Sequence, residues 1–272
     1  MTAPKVILVT GASSGIGRAC ADLLHARGHL VYGANRDPAR VDAPWRKLAM
    51  DVTDEASVAR AIETLIAEQG RIDVVVNNAG LVLAGAIEDT SLDEAKSQLD
   101  TNLFGAMRVC KAVLPSMRAR GAGLIINIGS LAGLVGLPFQ GLYSASKFAI
   151  EGFTEALRLE VAAFGVEAVV VEPGDIATSV VENRVRAAAS GEGSAYRDAF
   201  RAVVATYEKE ERAGAAPTVV ARRILAIVET SRPAPRYAAG PFAQRLLTGL
   251  KAFVPAKTFE WGLMLYYGLK RR

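Results

Sequence analysis

The chain has 272 residues, of which 51% are hydrophobic and 22% are charged, with a formal net charge of +4 and a pI near 9.1. This length and composition suit a single large α/β domain with a sizeable buried core, and they exclude disordered and fibrous proteins. The longest purely apolar runs span about five residues, far fewer than the roughly 20 that a membrane-spanning helix needs.

Few residues point to a disulfide, a metal or a nucleic acid. Cys20 and Cys110 are far apart in the sequence and are typical of small core residues. His25 and His29 lack further ligand-like neighbours. The mild positive charge suits an anionic cofactor, whereas nucleic-acid binding needs a basic stripe that the sequence lacks. Residues 1–5 show no secretory signal, so we expect a cytoplasmic protein.

Short apolar runs alternate with stretches of helical periodicity along most of the chain. The predicted strands are Lys5–Thr10, His29–Asn35, Arg46–Asp51, Ile72–Asn77, Gly123–Ile128 and Val166–Val171. The predicted helices are Ile16–Arg27, Glu55–Gln69, Ser91–Arg118, Tyr143–Phe164 and Pro217–Glu229. The runs are apolar on both faces, as parallel strands covered on both sides require. We therefore predict an α/β fold over residues 1–240, a single Rossmann-type doubly wound parallel sheet of about seven strands flanked by helices.

Two later segments depart from this alternation. Thr178–Gly214 has no strand pattern and occupies the place of an active-site lid. Residues 241–272 are predicted to form a C-terminal apolar and basic helical appendage, which serves as a substrate lid, a subunit contact or a membrane-surface contact. Its apolar residues include Phe242, Leu246, Leu247, Leu250, Phe253, Phe259, Trp261, Leu263, Leu265, Tyr266 and Tyr267. Its basic residues are Arg245, Lys251, Lys257, Lys270, Arg271 and Arg272.

A glycine-rich turn, Thr10-Gly11-Ala12-Ser13-Ser14-Gly15-Ile16-Gly17, directly follows the first predicted strand and opens the first helix. Glycines in this position permit unusual backbone angles and close approach to a pyrophosphate, and the helix N-terminus offers free N–H groups to the anion. The predicted cofactor-binding residues here are Gly11, Ser13, Ser14, Gly15, Ile16 and Gly17. The spacing differs from the commoner Gly-x-Gly-x-x-Gly, and a turn without a ligand is the alternative.

Further motifs follow in order: Asn77-Asn78-Ala79-Gly80, Asn102, Ser130, Tyr143-x-x-x-Lys147, and Pro173-Gly174 with Thr178. Together with the glycine-rich turn, their order and spacing resemble the short-chain dehydrogenase/reductase family over about residues 5–240. The segments 129–138, 143–149 and 172–174 resemble the hydroxysteroid and retinol dehydrogenase branch. The resemblance implies a homodimer or homotetramer.

Tyr143 and Lys147 stand four residues apart on a predicted helix, so their side chains share one face. A neighbouring ammonium and an oxidised nicotinamide favour the phenolate, which predicts a lowered pKa for the tyrosine. The resemblance implies that Tyr143 exchanges a proton with the substrate oxygen, that Lys147 also holds the nicotinamide ribose, and that Ser130 hydrogen-bonds the same oxygen. It implies that Asn102 anchors a water connected to Lys147. Because Asn102 lies inside a predicted helix, a backbone irregularity or a cap is expected there.

The resemblance also implies further cofactor contacts beyond the glycine-rich turn. They are Asp51 and Val52 at the adenine, Asn78, Ala79 and Gly80 at the end of the fourth strand, Tyr143 and Lys147, and Pro173, Gly174, Ile176 and Thr178 at the nicotinamide. The carboxyl edge of a parallel sheet is where such ligands bind. The alternatives are a simple turn at 77–80, with Asn77 and Asn78 only tying neighbouring loops, and Val52 as plain core.

The end of the second strand bears on cofactor choice. NAD-preferring relatives place an acidic residue where this chain has Asn35, and Arg36 can grip a 2′-phosphate through charge-assisted hydrogen bonds. We therefore predict NADP(H), with NAD as the alternative. Asp37 could instead pair with Arg36 or face the ribose after a slip of one residue, and Ser14 adds no charge.

Between Ser130 and Tyr143 the chain carries apolar residues and no charge, which predicts an apolar pocket wall: Leu131, Leu134, Val135, Leu137, Pro138 and Phe139. We therefore predict an oxidoreductase that transfers a hydride between NADP(H) and an apolar alcohol or ketone resembling a steroid, retinoid or lipid. The alternatives are a noncatalytic NADP-binding redox sensor and an acyl-thioester ketoreductase. Ketoreductases of the latter kind usually end soon after the last strand, which this chain does not.

Overall fold

The computed structural model describes residues 3–241, 243, 244, 246, 249, 251 and 253–270. The strands of its main sheet are β1 (Val6–Thr10), β2 (Leu30–Asn35), β3 (Arg46–Ala49), β4 (Val74–Asn77), β6 (Gly123–Ile128), β7 (Val166–Pro173) and β9 (Arg236–Ala239). They are parallel and lie in the order β3-β2-β1-β4-β6-β7-β9. The two short strands β5 (Leu83–Ala84) and β8 (Val185–Arg186) pair separately. This arrangement confirms the predicted doubly wound sheet.

The helices are α1 (Gly15–Ala26), α2 (Glu55–Gln69), α3 (Leu92–Leu99), α4 (Gly105–Arg120), α5 (Gly141–Val161), α6 (Val180–Asn183), α7 (Arg197–Arg212), α8 (Pro217–Glu229) and α9 (Ala256–Tyr266). Two hydrophobic layers cover the sheet. One packs α1 and α8 against it through residues such as Leu24 and Ile224. The other packs α2, α4 and α5 through Leu65, Met117 and Leu157. Since both faces are covered, the central strands are buried throughout, as their continuous apolar runs predict.

The two cysteines lie in these layers, as expected of small core residues. Cys20 packs on the side of α1, and Cys110 packs on the side of α4. Burial raises the pKa of both thiols to about 12, so neither is a reactive thiolate at neutral pH.

Three features differ from the prediction. The helix predicted at Ser91–Arg118 is divided into α3 and α4 by a π-helical segment, Asp100–Phe104. Strand β9 is not among the predicted strands, because its sequence Arg-Tyr-Ala-Ala lacks an apolar run. It forms at the edge of the sheet beside β7, where a strand needs to be only partly buried. Thr178–Gly214, predicted as a lid without strands, contains α6, the short strand β8 and the 16-residue helix α7, which packs into the interior through Phe200 and Tyr207.

Candidate active site

A cavity of about 800 Å³ runs along the carboxyl ends of the main strands. It crosses the point between β1 and β4 where the strand order reverses, which is where open α/β sheets bind ligands. Each of the predicted catalytic and cofactor-binding residues except Gly17 lines it. The topology therefore brings motifs from the whole length of the predicted core to one site.

The glycine-rich turn is a tight backbone cradle. Gly11 and Gly15 have φ angles of 64° and 56°, in the left-handed region that favours glycine. A Cβ on Gly17 would lie 2.3 Å from the Gly11 carbonyl oxygen, so helix α1 approaches the turn too closely for a side chain. Ser14 precedes the helix without a side-chain capping bond. The N–H groups of the first turn of α1 are therefore placed to meet an anion.

Asn77 and Asn78 both tie strand ends together, and Asn78 also lines the cavity. Asn77 Nδ2 donates to Asn127 Oδ1 at 2.9 Å. Asn78 Nδ2 donates to the carbonyls of Thr10 and Gly11 at 3.0 and 3.2 Å, and the Thr10 hydroxyl accepts from the Asn78 backbone N–H. These bonds fix the end of β4 against the glycine-rich turn.

Tyr143, Lys147 and Ser130 converge in the cavity from α5 and from the loop after β6. The Lys147 Nζ lies 5.7 Å from the centre of the Tyr143 ring and donates to the Ile128 carbonyl at 2.8 Å. A hydrogen bond joins the Ser130 and Tyr143 side chains. The Ser130 hydroxyl also accepts from the Ala132 N–H at 3.1 Å, which fixes its orientation.

In the protein alone, the pKa of Tyr143 shifts in the direction opposite to the lowering predicted for the site with an oxidised nicotinamide. Burial raises the pKa of the phenol, and the hydrogen bond from Ser130 only partly opposes it. Burial also lowers the pKa of Lys147 to about 8, against the opposing effect of the Glu151 carboxylate one turn further along α5. Tyr143 therefore holds its proton at neutral pH, which suits a general acid.

The expected irregularity at Asn102 is present, because this residue lies in the π-helical segment between α3 and α4. Its side chain is buried and bonds both backbone groups of Leu81, accepting from the N–H at 2.9 Å and donating to the carbonyl at 3.0 Å. Nδ2 also donates to Ser146 Oγ at 3.1 Å. A Cβ on Gly80 would lie 3.2 Å from Asn102 Oδ1. Asn102 thus positions the loop after β4.

At the other end of the cavity, Asn35 and Arg36 line the wall beside Asp51 and Val52. Asn35 is 9% exposed, and its Nδ2 has no hydrogen-bond partner among the described residues. Arg36 is exposed, whereas Asp37 forms an ion pair with Arg40 at 2.8 Å. The possible pairing of Asp37 with Arg36 is therefore not what the structure shows.

The loop after β7 closes the cavity over the glycine-rich turn. Pro173, Gly174, Ile176 and Thr178 all line it. A Cβ on Gly15 would lie 3.3 Å from the Thr178 side chain, and hydroxyls at 179 and 14 are hydrogen-bonded at 3.3 Å. The loop and the turn therefore form opposite sides of one channel.

The predicted apolar wall is partly present. Leu131, Val135 and Leu137 line the cavity, but Leu134, Pro138 and Phe139 do not. Phe139 packs edge-on against the ring of Phe200, outside the cavity. The opposite wall contains polar residues that sequence reasoning missed, namely Asp175, Tyr207, Glu210, Glu211 and Tyr266. Most come from α7, whose position depends on tertiary packing that no local motif signals.

The C-terminal appendage contributes α9, whose Phe259 and Leu263 line the cavity. Its Trp261 and Leu265 are instead 63% and 59% exposed. No helix within the described ranges combines the length and apolar character needed to cross a membrane. The predicted lid residues Leu247 and Leu250, together with Phe242, Arg245, Arg271 and Arg272, lie outside the described residues.

Comparison with known proteins places this geometry in a family. Residues 5–189 match the short chain dehydrogenase family. The chain is 43% identical to a 3-ketodihydrosphingosine reductase of Bacteroides thetaiotaomicron, over 98% of this chain and 99% of that protein. It is 33% identical to retinol dehydrogenase 8 of Bos taurus, over 98% and 95% of the two chains.

Solved structures agree. A short-chain dehydrogenase from Streptomyces avermitilis superposes with a TM-score of 0.80 at 34% identity, covering 96% of this chain and 98% of that one. A short-chain dehydrogenase/reductase from Burkholderia phymatum, solved in complex with NAD, gives 0.80 at 26% identity, covering 92% and 93%. The sequence match, the shared fold and the convergence of Tyr143, Lys147 and Ser130 confirm the predicted membership: the chain belongs to the short-chain dehydrogenase/reductase family of oxidoreductases.

Proposed function

We propose that the protein is an NADPH-dependent reductase of a long-chain ketone of the 3-ketosphingoid type. The observation that carries the proposal is the 43% identity to a 3-ketodihydrosphingosine reductase along nearly the whole of both chains. The similarity includes the C-terminal appendage, whose Phe259 and Leu263 line the cavity. An apolar wall at this place suits an alkyl chain.

The chain's own residues fit a nicotinamide dinucleotide. A Cβ added at Gly11 or Gly17 would lie 2.9 or 2.3 Å from a backbone atom, so both positions require glycine. Without side chains there, the backbone of the turn is open to close approach by a pyrophosphate. The unpartnered Nδ2 of Asn35 is a donor for a ribose or phosphate oxygen. Arg36 is the cation at the same wall, and we propose that it binds a 2′-phosphate and gives a preference for NADP(H).

The catalytic residues suit reduction. NADPH, when bound, supplies the hydride. Tyr143 holds a proton at its phenol oxygen at neutral pH and delivers it to the carbonyl oxygen as that oxygen gains negative charge. Ser130 lies against Tyr143, and its one O–H can turn from the Tyr143 oxygen to the carbonyl oxygen, where it acts as a second donor. Lys147 places a positive charge beside the tyrosine ring and stabilises the phenolate that remains.

The direct test is turnover of a substrate panel, followed by NADPH absorbance. We expect 3-ketodihydrosphingosine to be reduced with a higher kcat/KM than retinal, a steroid ketone or an acetoacetyl thioester. Thioester reduction as the best activity would favour an acyl ketoreductase. NADPH binding without oxidation by any member of the panel would instead favour a noncatalytic sensor.

The buried Lys147 makes NADPH binding pH-dependent. Below its pKa of about 8 the free enzyme already carries the ammonium that contacts the cofactor ribose in our proposal. Above that pH, binding must take up a proton, so affinity falls as pH rises, by up to about tenfold per pH unit. NADPH fluorescence titrations between pH 7 and 9.5 measure this slope. The slope should vanish in Lys147→Met, and a wild-type affinity independent of pH would contradict the assignment.

We also propose that the outer face of α9 contacts an anionic lipid surface. Trp261 and Leu265 are exposed there, Phe253 shortly before the helix is 86% exposed, and Lys257 on the helix is exposed. Vesicles containing phosphatidylserine should float with the protein and shift Trp261 emission to the blue, whereas phosphatidylcholine vesicles should bind less. Since Trp45 is buried, it gives a constant background. A dimer that keeps Trp261 buried in solution would contradict lipid contact.

A further inference from the structure

The cavity that contains Tyr143 and Ser130 is also lined by carboxylates, among them Asp175 and Glu211. Asp175 and Glu211 both raise the pKa of Tyr143, so each exerts its field at the phenol. Negative charge here is unexpected for a purely apolar ketone, because the substrate would offer nothing to balance it. The charge of this wall therefore indicates what kind of polar group the substrate has.

The two carboxylates are not equivalent. Glu211 is already neutralised, because Arg184 donates two hydrogen bonds to it, one of them at 2.6 Å, and the Arg184 side chain is 1% exposed. Asp175 follows the Pro173-Gly174 turn directly and is half-buried. Among the described residues no lysine or arginine forms an ion pair with Asp175, and the charge of Arg184 only partly opposes the rise in the Asp175 pKa that burial causes.

Asp175 is nevertheless held in place. Its backbone N–H donates to Gln244 Oε1 at 2.9 Å, and the Gln244 amide donates to the Asp175 carboxylate. A Cβ on Gly174 would lie 2.3 Å from Gln244 Oε1, so the glutamine packs closely on the loop. Burial raises the pKa of the Asp175 carboxyl. A cation bound beside it would favour the ionised form.

We infer that Asp175 binds a cationic amine next to the reacting carbonyl, so that the enzyme selects long-chain 2-amino ketones over uncharged ketones of the same length. The inference rests on the proposed function, because it concerns the substrate of the same site. Tyr143 and Asp175 line one cavity and interact electrostatically, and an ammonium on the carbon beside the carbonyl lies within a few ångströms of the carbonyl oxygen. The apolar wall of Leu131, Val135 and Leu263 then faces the alkyl chain.

The test measures binding without turnover. Short-chain dihydrosphingosine analogues that stay monomeric in water, with a free or an N-acetylated amine, are titrated calorimetrically into the NADPH-loaded enzyme. The two analogues share chain and hydroxyl groups and differ in charge. We expect the free amine to bind wild type more tightly, and Asp175→Asn to weaken it by about tenfold to 100-fold, the range of one charge-assisted hydrogen bond. The N-acetyl analogue should change by less than about threefold.

Glu208→Gln is the matched control. Glu208 is on α7 with Glu211 but pairs with Arg186 at 2.8 Å and does not line the cavity, so its removal should leave the amine preference unchanged. Equal weakening of both analogues by Asp175→Asn would overturn the inference, because the residue would then only shape the loop. The absence of an amine preference in wild type would also overturn it. An Asp175-dependent amine preference in an enzyme that reduces no ketone would leave the amine-binding role of Asp175 standing and refute the proposed function.

Discussion

Replacing Tyr143 with phenylalanine should lower kcat for ketone reduction by about 10²–10⁴-fold while NADPH affinity changes little. The ring keeps its packing on α5, but the proton that neutralises the developing alkoxide is lost. The Ser130 hydroxyl also loses its partner, so part of the oxygen-binding geometry disappears with it. Single-turnover measurements with enzyme in excess separate this effect on chemistry from any effect on product release.

Tyr196→Phe is the matched control, because it removes a tyrosine hydroxyl outside the cavity. The Tyr196 hydroxyl donates to Glu88 at 2.7 Å on the surface, and the residue does not line the cavity. We expect its kcat to stay within about twofold of wild type, since a surface substitution of this kind has a small effect. If Tyr143→Phe retained activity within about threefold of wild type, Tyr143 would not be the proton donor.

Replacing Arg36 with alanine should weaken NADPH binding by about 10–150-fold and NADH binding far less. The estimate follows from losing one charge-assisted hydrogen bond to a phosphate, worth about 1.5–3 kcal/mol. Arg36 lines the cavity beside Asn35, and its charge also reaches Asp51, whose pKa is lowered chiefly by a hydrogen bond from the Thr53 backbone. Dissociation constants for both cofactors, measured at one salt concentration, give the comparison.

Arg40→Ala is the control for charge alone. Arg40 is four residues away, is exposed and pairs with Asp37, but it does not line the cavity. It should change both affinities by less than about threefold, because an exposed ion pair contributes little. Asp37→Ala selectively weakening NADH, with Arg36→Ala without effect, would show instead that the enzyme uses NAD and that Asp37 faces the ribose.

Most of the fold could be predicted from local sequence patterns. The central strands are continuous apolar runs because both sheet faces are covered, and Val74–Asn77 is buried at every position. Strand β9 was not predicted, because an edge strand needs less apolar surface than a central one. Arg236 at its start forms ion pairs with the carboxylates of Glu151 and Glu172 at 3.1 Å. Neither the edge position nor the ion pairs can be read from a four-residue segment.

The candidate site divides in the same way. Motifs that act through their own backbone or through one helical turn, such as the glycine-rich turn and the pair Tyr143 and Lys147, were predictable from spacing. The raised pKa of Tyr143 was not, because it depends on burial by elements distant in sequence. Asp175 and Glu211 face the cavity only after α7 and the C-terminal appendage have packed over the sheet. The residues that recognise the substrate therefore depend on tertiary structure and could not be predicted from local sequence.

The strand order of the main sheet has a consequence for biosynthesis. Strand β1 pairs with β2, and β3 then pairs with β2. On the other side β4 pairs with β1, followed outward by β6, β7 and β9. Every strand of this sheet after β1 therefore docks on one that left the ribosome before it. The nascent chain can therefore grow its sheet from the centre outward, and each strand after β1 finds its first partner already made, which limits the time that a wholly unpaired strand is open to the edge-to-edge association that threatens slow-forming parallel sheets.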